Sequence, residues 1–199
     1  HEPTKHQYDF DAASCLALIR KSGLENEIKL NIEVNHATLS GHNFEHEIAY
    51  AISNNALGSI DINRGDTLLG WDTDQFPNNP ADLLIAFYHI FSNGGFKQGG
   101  FNFDAKIRRQ SIDPEDLFHA HIGGMDVCAK TLLATEKLIN DNILPKYIKN
   151  RYANWDNVLG KYIHNKKTNL EELHQIVIDQ NINPKPRSGQ QELLENILN

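Results

Sequence analysis

Residues 28–36 read IKLNIEVNH, and this stretch decides the fold because it joins a strand to the polar groups that follow it. Its first part is short, apolar and rich in β-branched residues, which is typical of a buried parallel strand. Glu33 stands at the predicted end of that strand, and His36 follows one short turn later. Both side chains can therefore point towards one cation. A polar loop with a solvated Glu and His is an equally good interpretation of this stretch alone.

Two more predicted strands end in a carboxylate. Residues 57–62 (LGSIDI) carry Asp61 near their end, and residues 100–103 (GFNF) are followed by Asp104. Each has a simpler interpretation, because a strand-end Asp often caps the next helix and Asp104 could pair with a nearby Lys or Arg. The recurrence of acidic groups at successive strand ends favours a shared site.

The polar loop between the second strand and the next helix, residues 63–79, contains Asp72 and Asp74. Alternate residues of an extended chain share a side, so two carboxylates can reach one metal. An EF-hand calcium loop starting at Asp61 is a rival interpretation. We reject it, because its glycine falls one place early, its twelfth residue is Asp and its flanks are not helical.

Helical spacing appears in residues 9–21, 44–53, 81–91 and 113–140, so helices alternate with the strands. This order predicts an α/β fold with three to four parallel strands and right-handed crossovers, which place the strand ends on one rim. In α/β barrels that rim carries the chemistry. We therefore predict a partial barrel domain at 1–142. A helical extension at 143–199 would cover a partner subunit or the rest of its own barrel.

The candidate ligands at this rim are mainly carboxylates, with one imidazole, which suits Mg²⁺, Mn²⁺ or Co²⁺ better than a metal that prefers thiolates. Crowded carboxylates raise one another's pKa unless a cation is present. The sequence therefore predicts a two-metal enzyme site, of which this chain holds at least a part. Its predicted ligands are Glu33, His36, Asp61, Asp72, Asp74 and Asp104.

Composition excludes other classes of function. The formal net charge of −7 over 199 residues disfavours nucleic acid as a partner, since phosphate binding needs clustered Lys and Arg. No apolar stretch approaches the roughly 20 residues that span a bilayer, so no membrane association is expected. Cys15 and Cys128 are predicted to be reduced, buried thiols of a cytoplasmic protein.

Five ordered segments of the chain strongly resemble the xylose isomerase family in its longer, bacterial-type form, and the likeness covers nearly the whole chain. The segments are EPTKHQYD at 2–9, NIEVNHATL at 31–39, SIDINRGD at 59–66, GWDTDQFP at 70–77 and NFDAK at 102–106. The resemblance implies the C-terminal half of a TIM (β/α)8 barrel. It also implies metal-dependent isomerisation of D-xylose to D-xylulose by a hydride shift.

The same resemblance implies a role for each ligand. Glu33 would bridge two divalent ions, Mg²⁺ or alternatively Mn²⁺ or Co²⁺. The first ion would also take Asp61 and Asp104; the second would also take His36, Asp72 and Asp74. The expected partners are a sugar substrate, xylose or also glucose, and further copies of the chain in a homotetramer or dimer.

Some of the family's functional groups are expected upstream of His1, so no catalytic residue is assigned within this chain. A further metal-binding Glu, a Lys and the ring-opening His with its Asp partner belong to that upstream part. We therefore expect the chain to be a fragment that is inactive by itself. Two alternatives stay open: a non-catalytic divalent-metal-binding or assembly module, and a related barrel sugar epimerase.

Overall fold

A computed structural model describes residue 3 and residues 7–198 of the chain. Half of the quoted segment at 2–9 therefore lies outside the described residues, namely Glu2, Thr4, Lys5 and His6. The chain divides into two compact units, one ending at Asn140 and the other comprising Asp141–Asn199.

The first unit contains a parallel sheet, which among the described residues has three strands in the order β1-β2-β3. They are β1 (Leu30–Glu33), β2 (Leu57–Asp61) and β3 (Phe101–Asn102). Glu33 lies opposite Asp61, and Asp61 lies opposite Asn102, so the strand ends are level. The three predicted strands are confirmed but are shorter than predicted. Strand β1 ends at Glu33 because the next residue, Val34, already begins a helix.

Five helices of the first unit alternate with these strands: α1 (Ala12–Lys21), α2 (Val34–Leu39), α3 (Phe44–Ser53), α4 (Ala81–Ser92) and α5 (Pro114–Asp141). The alternation is as predicted, except that the six-residue α2 was not foreseen. Helix α1 begins later than residue 9 because Asp11 caps it. The Asp11 carboxylate accepts a hydrogen bond from the Ser14 backbone N–H at 2.7 Å.

The core of this unit lies between the sheet and the helices. Its largest fully buried apolar side chains come from both, and are Ile32, Ile48, Ile60, Ile62, Leu83, Phe87 and Ile90. Cys15 and Cys128 belong to the same core as free thiols, as predicted. Burial raises the pKa of each thiol to about 11, so both stay protonated and unreactive at neutral pH.

The second unit is helical, as the sequence predicts. It contains α6 (Ile143–Arg151), a 3₁₀ turn (Ala153–Asp156), α7 (Val158–His164), α8 (Leu170–Asp179) and α9 (Gln191–Leu198). The Asn169 side chain caps α8 by accepting a hydrogen bond from the Glu172 N–H at 2.9 Å. Within the described residues, α6, α8 and α9 bury no side chain.

No helix among the described residues is long and apolar enough to cross a bilayer.

The approach of β3 to β2 depends on Gly99, which has a φ of +79° and whose added Cβ would lie 2.5 Å from the Gly58 carbonyl oxygen. Gly94 has a φ of +92° but open space around it.

We expect Gly94→Ala to lower the free energy of unfolding by about 1–2 kcal/mol, the cost of left-handed backbone. Gly99→Ala should lower it further because of the backbone clash. Urea unfolding compares the two, and equal losses would contradict this account of the β2–β3 contact.

Candidate metal centre

Glu33 is the buried carboxylate around which the rim of the sheet is organised. Its Oε1 accepts a hydrogen bond from the Asn63 side-chain amide at 2.5 Å. The same amide donates to the Asp104 carbonyl oxygen at 2.9 Å, and the Asn63 Oδ1 accepts from the Asn35 backbone N–H at 3.0 Å. One buried amide therefore links the ends of all three strands. Sequence analysis missed Asn63, whose only signal was its place two residues after Asp61.

The first group of possible ligands is Glu33, His36 and Asp72, whose donor atoms lie within 4.8 Å of one another. The first turn of α2 places the His36 ring between the two carboxylates. Its Nδ1 is 3.3 Å from Glu33 Oε2, and its Nε2 is 2.8 Å from Asp72 Oδ2. A neutral imidazole can donate from only one nitrogen. The nitrogen that does not donate is therefore available to a cation shared with a carboxylate.

The second group is Glu33, Asp61 and Asp104, again within 4.8 Å. Asp61 is oriented by amides from both neighbouring strands: Asn31 Nδ2 donates to its Oδ2 at 2.5 Å, and Asn102 Nδ2 donates to its Oδ1. Glu33 is the residue common to both groups.

Asp74 lies beside these groups rather than within either. It shares a hydrogen bond with Asp72, and its Oδ2 is 2.5 Å from Lys106 Nζ. The sequence predicted that Asp72 and Asp74 would share a side of extended chain. Instead, Asp74 has a left-handed φ of +43°, and its side chain pairs with both Asp72 and Lys106.

The loop that carries Asp72 and Asp74 is held by backbone hydrogen bonds of the kind that join neighbouring strands. Gln75 exchanges backbone hydrogen bonds with Arg64 at 2.8 and 2.9 Å, and the Lys106 N–H donates to the Asp74 carbonyl oxygen at 2.8 Å. Arg108 donates to the buried Gln75 side chain. The loop is therefore fixed between segments that follow β2 and β3.

Asn35 positions Asp72 by a hydrogen bond, and its own side chain lies against Gly65. The Asn35 Nδ2 donates to Asp72 Oδ1, and a Cβ on Gly65 would lie 1.8 Å from the Asn35 Oδ1. No other residue type at position 65 leaves Asn35 in place. Sequence analysis did not identify either residue, since their roles depend on contacts across the loop.

Titration of these carboxylates reflects their crowding. Burial raises the pKa of Glu33 to about 7, against the Asn63 hydrogen bond and the His36 charge, while Asp72 and Asp104 push it higher. Burial and the hydrogen bond with Asp72 raise the pKa of Asp74, which Lys106 partly opposes. Burial alone would raise the pKa of Asp72. Hydrogen bonds with Asp74, Asn35 and His36 instead hold that pKa below its usual value. The pKa of the shared carboxylate, Glu33, is therefore raised at a position where cations would balance the crowded charge.

The donor set fits divalent cations. It consists of carboxylate oxygens and one imidazole nitrogen, which suit Mg²⁺, Mn²⁺ or Co²⁺. The carboxylate with the highest resolved pKa is also the one shared by both groups, where two positive charges would favour its ionised form.

Comparison with known proteins gives matches along the whole chain. The XylA2 C-terminal domain family matches residues 148–199. Over 198 residues the chain is 60% identical to a xylose isomerase of Histophilus somni, 52% to one of Rhizobium johnstonii and 54% to one of a Ruegeria species. Each match covers 100% of this chain and 45% of the relative, so the chain spans less than half the length of these relatives.

The raised pKa of Glu33 predicts a pH-dependent stability in the absence of divalent metal. Between about pH 4.5 and 7 the folded chain keeps a proton that the unfolded chain has lost, so the free energy of unfolding should fall as pH rises. Each unit of pKa shift contributes about 1.4 kcal/mol. Glu33→Gln should flatten this fall in chemical denaturation measured across the range.

Glu25→Gln, at an exposed position, is the matched control and should leave the profile unchanged. An unaltered slope in Glu33→Gln would contradict the assignment of the bound proton to Glu33.

Proposed function

The chain belongs to the xylose isomerase family, and on that premise we propose that it supplies the metal-holding part of an enzyme that converts D-xylose to D-xylulose. The observation that carries this proposal is the position of Glu33, which lies in two groups of candidate ligands at once. A carboxylate shared in this way suits a pair of cations acting on two neighbouring oxygens of one substrate. An aldose and its ketose differ at two adjacent, oxygen-bearing carbons.

We assign Asp61 and Asp104, with Glu33, to one ion, and His36 and Asp72, with Glu33, to the other. Asp74 joins the second set through its contact with Asp72. Mg²⁺ is the proposed ion, with Mn²⁺ and Co²⁺ as substitutes. When bound, the two ions supply Lewis acidity that polarises the sugar oxygens.

The chain's own residues orient the ligands and balance their charge. Asn63 donates a hydrogen bond to the Glu33 carboxylate, and Asn31 and Asn102 donate to the two oxygens of Asp61. Lys106 places a positive charge beside Asp74, which limits repulsion in the Asp72–Asp74 pair. Amide donors of this kind keep ligands in place while the charge at the centre changes.

We further propose that the three strands form part of a closed eight-stranded barrel. Parallel strands with level ends and helices between them are the repeating unit of that fold. The ring-opening His, its Asp partner and the catalytic Lys would come from the portion of the relatives that this chain does not span. The chain alone would then be inactive.

The helical unit is proposed to bind another copy of the protein in a homotetramer or dimer within the cytoplasm. Its helices α6, α8 and α9 expose large apolar side chains, including Ile148, Leu170 and Leu193. Surfaces of this kind are typical of subunit contacts.

A chimera tests the activity. In the Histophilus somni relative, the C-terminal part that aligns with this chain would be replaced by the chain itself, and xylulose formation measured with xylose and Mg²⁺. We expect turnover from the chimera and at least a 100-fold loss with Glu33→Gln, because both ligand groups lose their common carboxylate.

The exposed Glu25→Gln variant is the control for the chimera and should keep its activity. A folded chimera without turnover, or one in which Glu33→Gln remains active, would contradict the proposed function. Retained Mn²⁺ binding in an inactive chimera would favour the non-catalytic metal-binding module.

Metal binding gives a second test that needs no turnover. We expect Asp72→Asn and Asp104→Asn each to weaken Mn²⁺ binding at least tenfold, measured by titration calorimetry of the chain. Removing a charged donor loses both a ligand and the charge that attracts the ion.

Asp66→Asn serves as the control, because Asp66 lies in the same loop but is exposed, and its carboxylate accepts a local hydrogen bond from the Leu68 N–H. Equal weakening by Asp66→Asn would reduce the effect to net charge and contradict the ligand assignment.

A further inference from the structure

A second cluster of potential ligands lies between α1 and α3, away from the sheet rim. It consists of His42, His46 and Glu47, whose donor atoms lie within 4.8 Å of one another, with Asp11 beside His42. We propose that this cluster is a Zn²⁺ site, distinct from the carboxylate-rich centre and built from two imidazoles and two carboxylates. No part of the proposed isomerase chemistry uses these residues.

The geometry brings three donor atoms within 4.8 Å of one another, and the Asp11 carboxylate contacts one of them, His42 Nε2. His46 Nδ1 is 3.1 Å from Glu47 Oε1, and His42 Nε2 is 4.0 Å from the same oxygen. His42 Nε2 is also 3.2 Å from Asp11 Oδ2. In a tetrahedral zinc site with bonds of about 2.0 Å, neighbouring ligand atoms stand roughly 3.3 Å apart. The His46–Glu47 and His42–Asp11 contacts match this spacing, whereas His42 and Glu47 would have to move closer together to close on an ion.

The two imidazoles are already oriented together. Their rings are stacked with centroids 4.8 Å apart and an interplanar angle of 17°. Each directs a nitrogen towards Glu47, which is almost fully buried, whereas His46 is well exposed. An ion could therefore enter from the solvent side and meet a fixed carboxylate beneath the rings.

Backbone N–H groups donate hydrogen bonds to one oxygen of each of the two carboxylates, Glu47 and Asp11. Glu47 Oε2 accepts from the Ala12 N–H at 2.6 Å, and Asp11 Oδ1 accepts from the Ser14 N–H at 2.7 Å. The other oxygen of each carboxylate faces the imidazoles. Supporting contacts of this kind orient ligands in metal sites. Here they tie the start of α1 to α3.

Charge and donor type favour zinc over the ions proposed for the sheet rim. Two carboxylates and two neutral imidazoles carry a formal charge of −2, which one Zn²⁺ neutralises. Imidazole nitrogen suits zinc, whereas Mg²⁺ prefers an all-oxygen shell with several waters. In excess Mg²⁺, the two sites should therefore take different metals.

Zinc binding to the whole chain in excess Mg²⁺ is the test, measured by competition with a chromophoric chelator. We expect one Zn²⁺ per chain and an affinity at least tenfold weaker in His46→Gln. The matched control, His119→Gln, changes an exposed helical histidine and should bind normally. Asp61→Asn, which alters the sheet rim, should also bind normally.

X-ray absorption of the zinc-loaded, unaltered chain gives a readout that does not depend on how the variants fold. Two imidazole ligands are expected at this cluster, whereas His36 is the one imidazole in the ligand groups of the sheet rim within the described part of the chain. Absence of tight zinc binding in excess Mg²⁺ would overturn the proposal. So would an unchanged affinity in His46→Gln, a loss in Asp61→Asn, or a spectrum with fewer than two imidazoles.

Discussion

The burial of one carboxylate, Glu33, is the constraint on which the rim of the sheet depends. A buried carboxylate needs hydrogen-bond donors or a cation to compensate for the loss of water. Asn63 donates to it, His36 stands against its second oxygen, and its pKa rises to about 7. Because Asn63 also binds the backbone after β3, the group that compensates Glu33 is the one that fixes the neighbouring strand ends.

The sequence was sufficient for the parts of the fold that depend on periodicity. Alternating helices and apolar strands predicted the parallel order, and the strand ends predicted where Glu33, Asp61 and Asp104 would meet. It was insufficient where a contact crosses the loop. The left-handed backbone of Asp74 follows from hydrogen bonds to Lys106, and the role of Asn35 follows from the missing side chain of Gly65. Neither leaves a local pattern.

His42 and His46 also show that contacts between distant segments leave no pattern in the sequence. From the sequence, His42 and His46 were indistinguishable from exposed or capping residues. Their importance arises because α1 begins beside α3, which brings Asp11 and Glu47 to the two rings. The chain thus combines an oxygen-rich centre at the ends of its strands with a nitrogen-containing cluster between two helices. Differences in metal preference would allow each to fill without competition.

The anchoring of the loop at Gln75 has a consequence for access to the rim. The Gln75 backbone is hydrogen-bonded to Arg64, and the Gln75 side chain accepts a hydrogen bond from Arg108. The backbone of the preceding residue, Asp74, is hydrogen-bonded to Lys106. Such a segment cannot swing as a hinged lid without breaking these bonds together. A ligand would therefore have to arrive from another direction, and any gate that opens and shuts must be built from a different stretch of polypeptide.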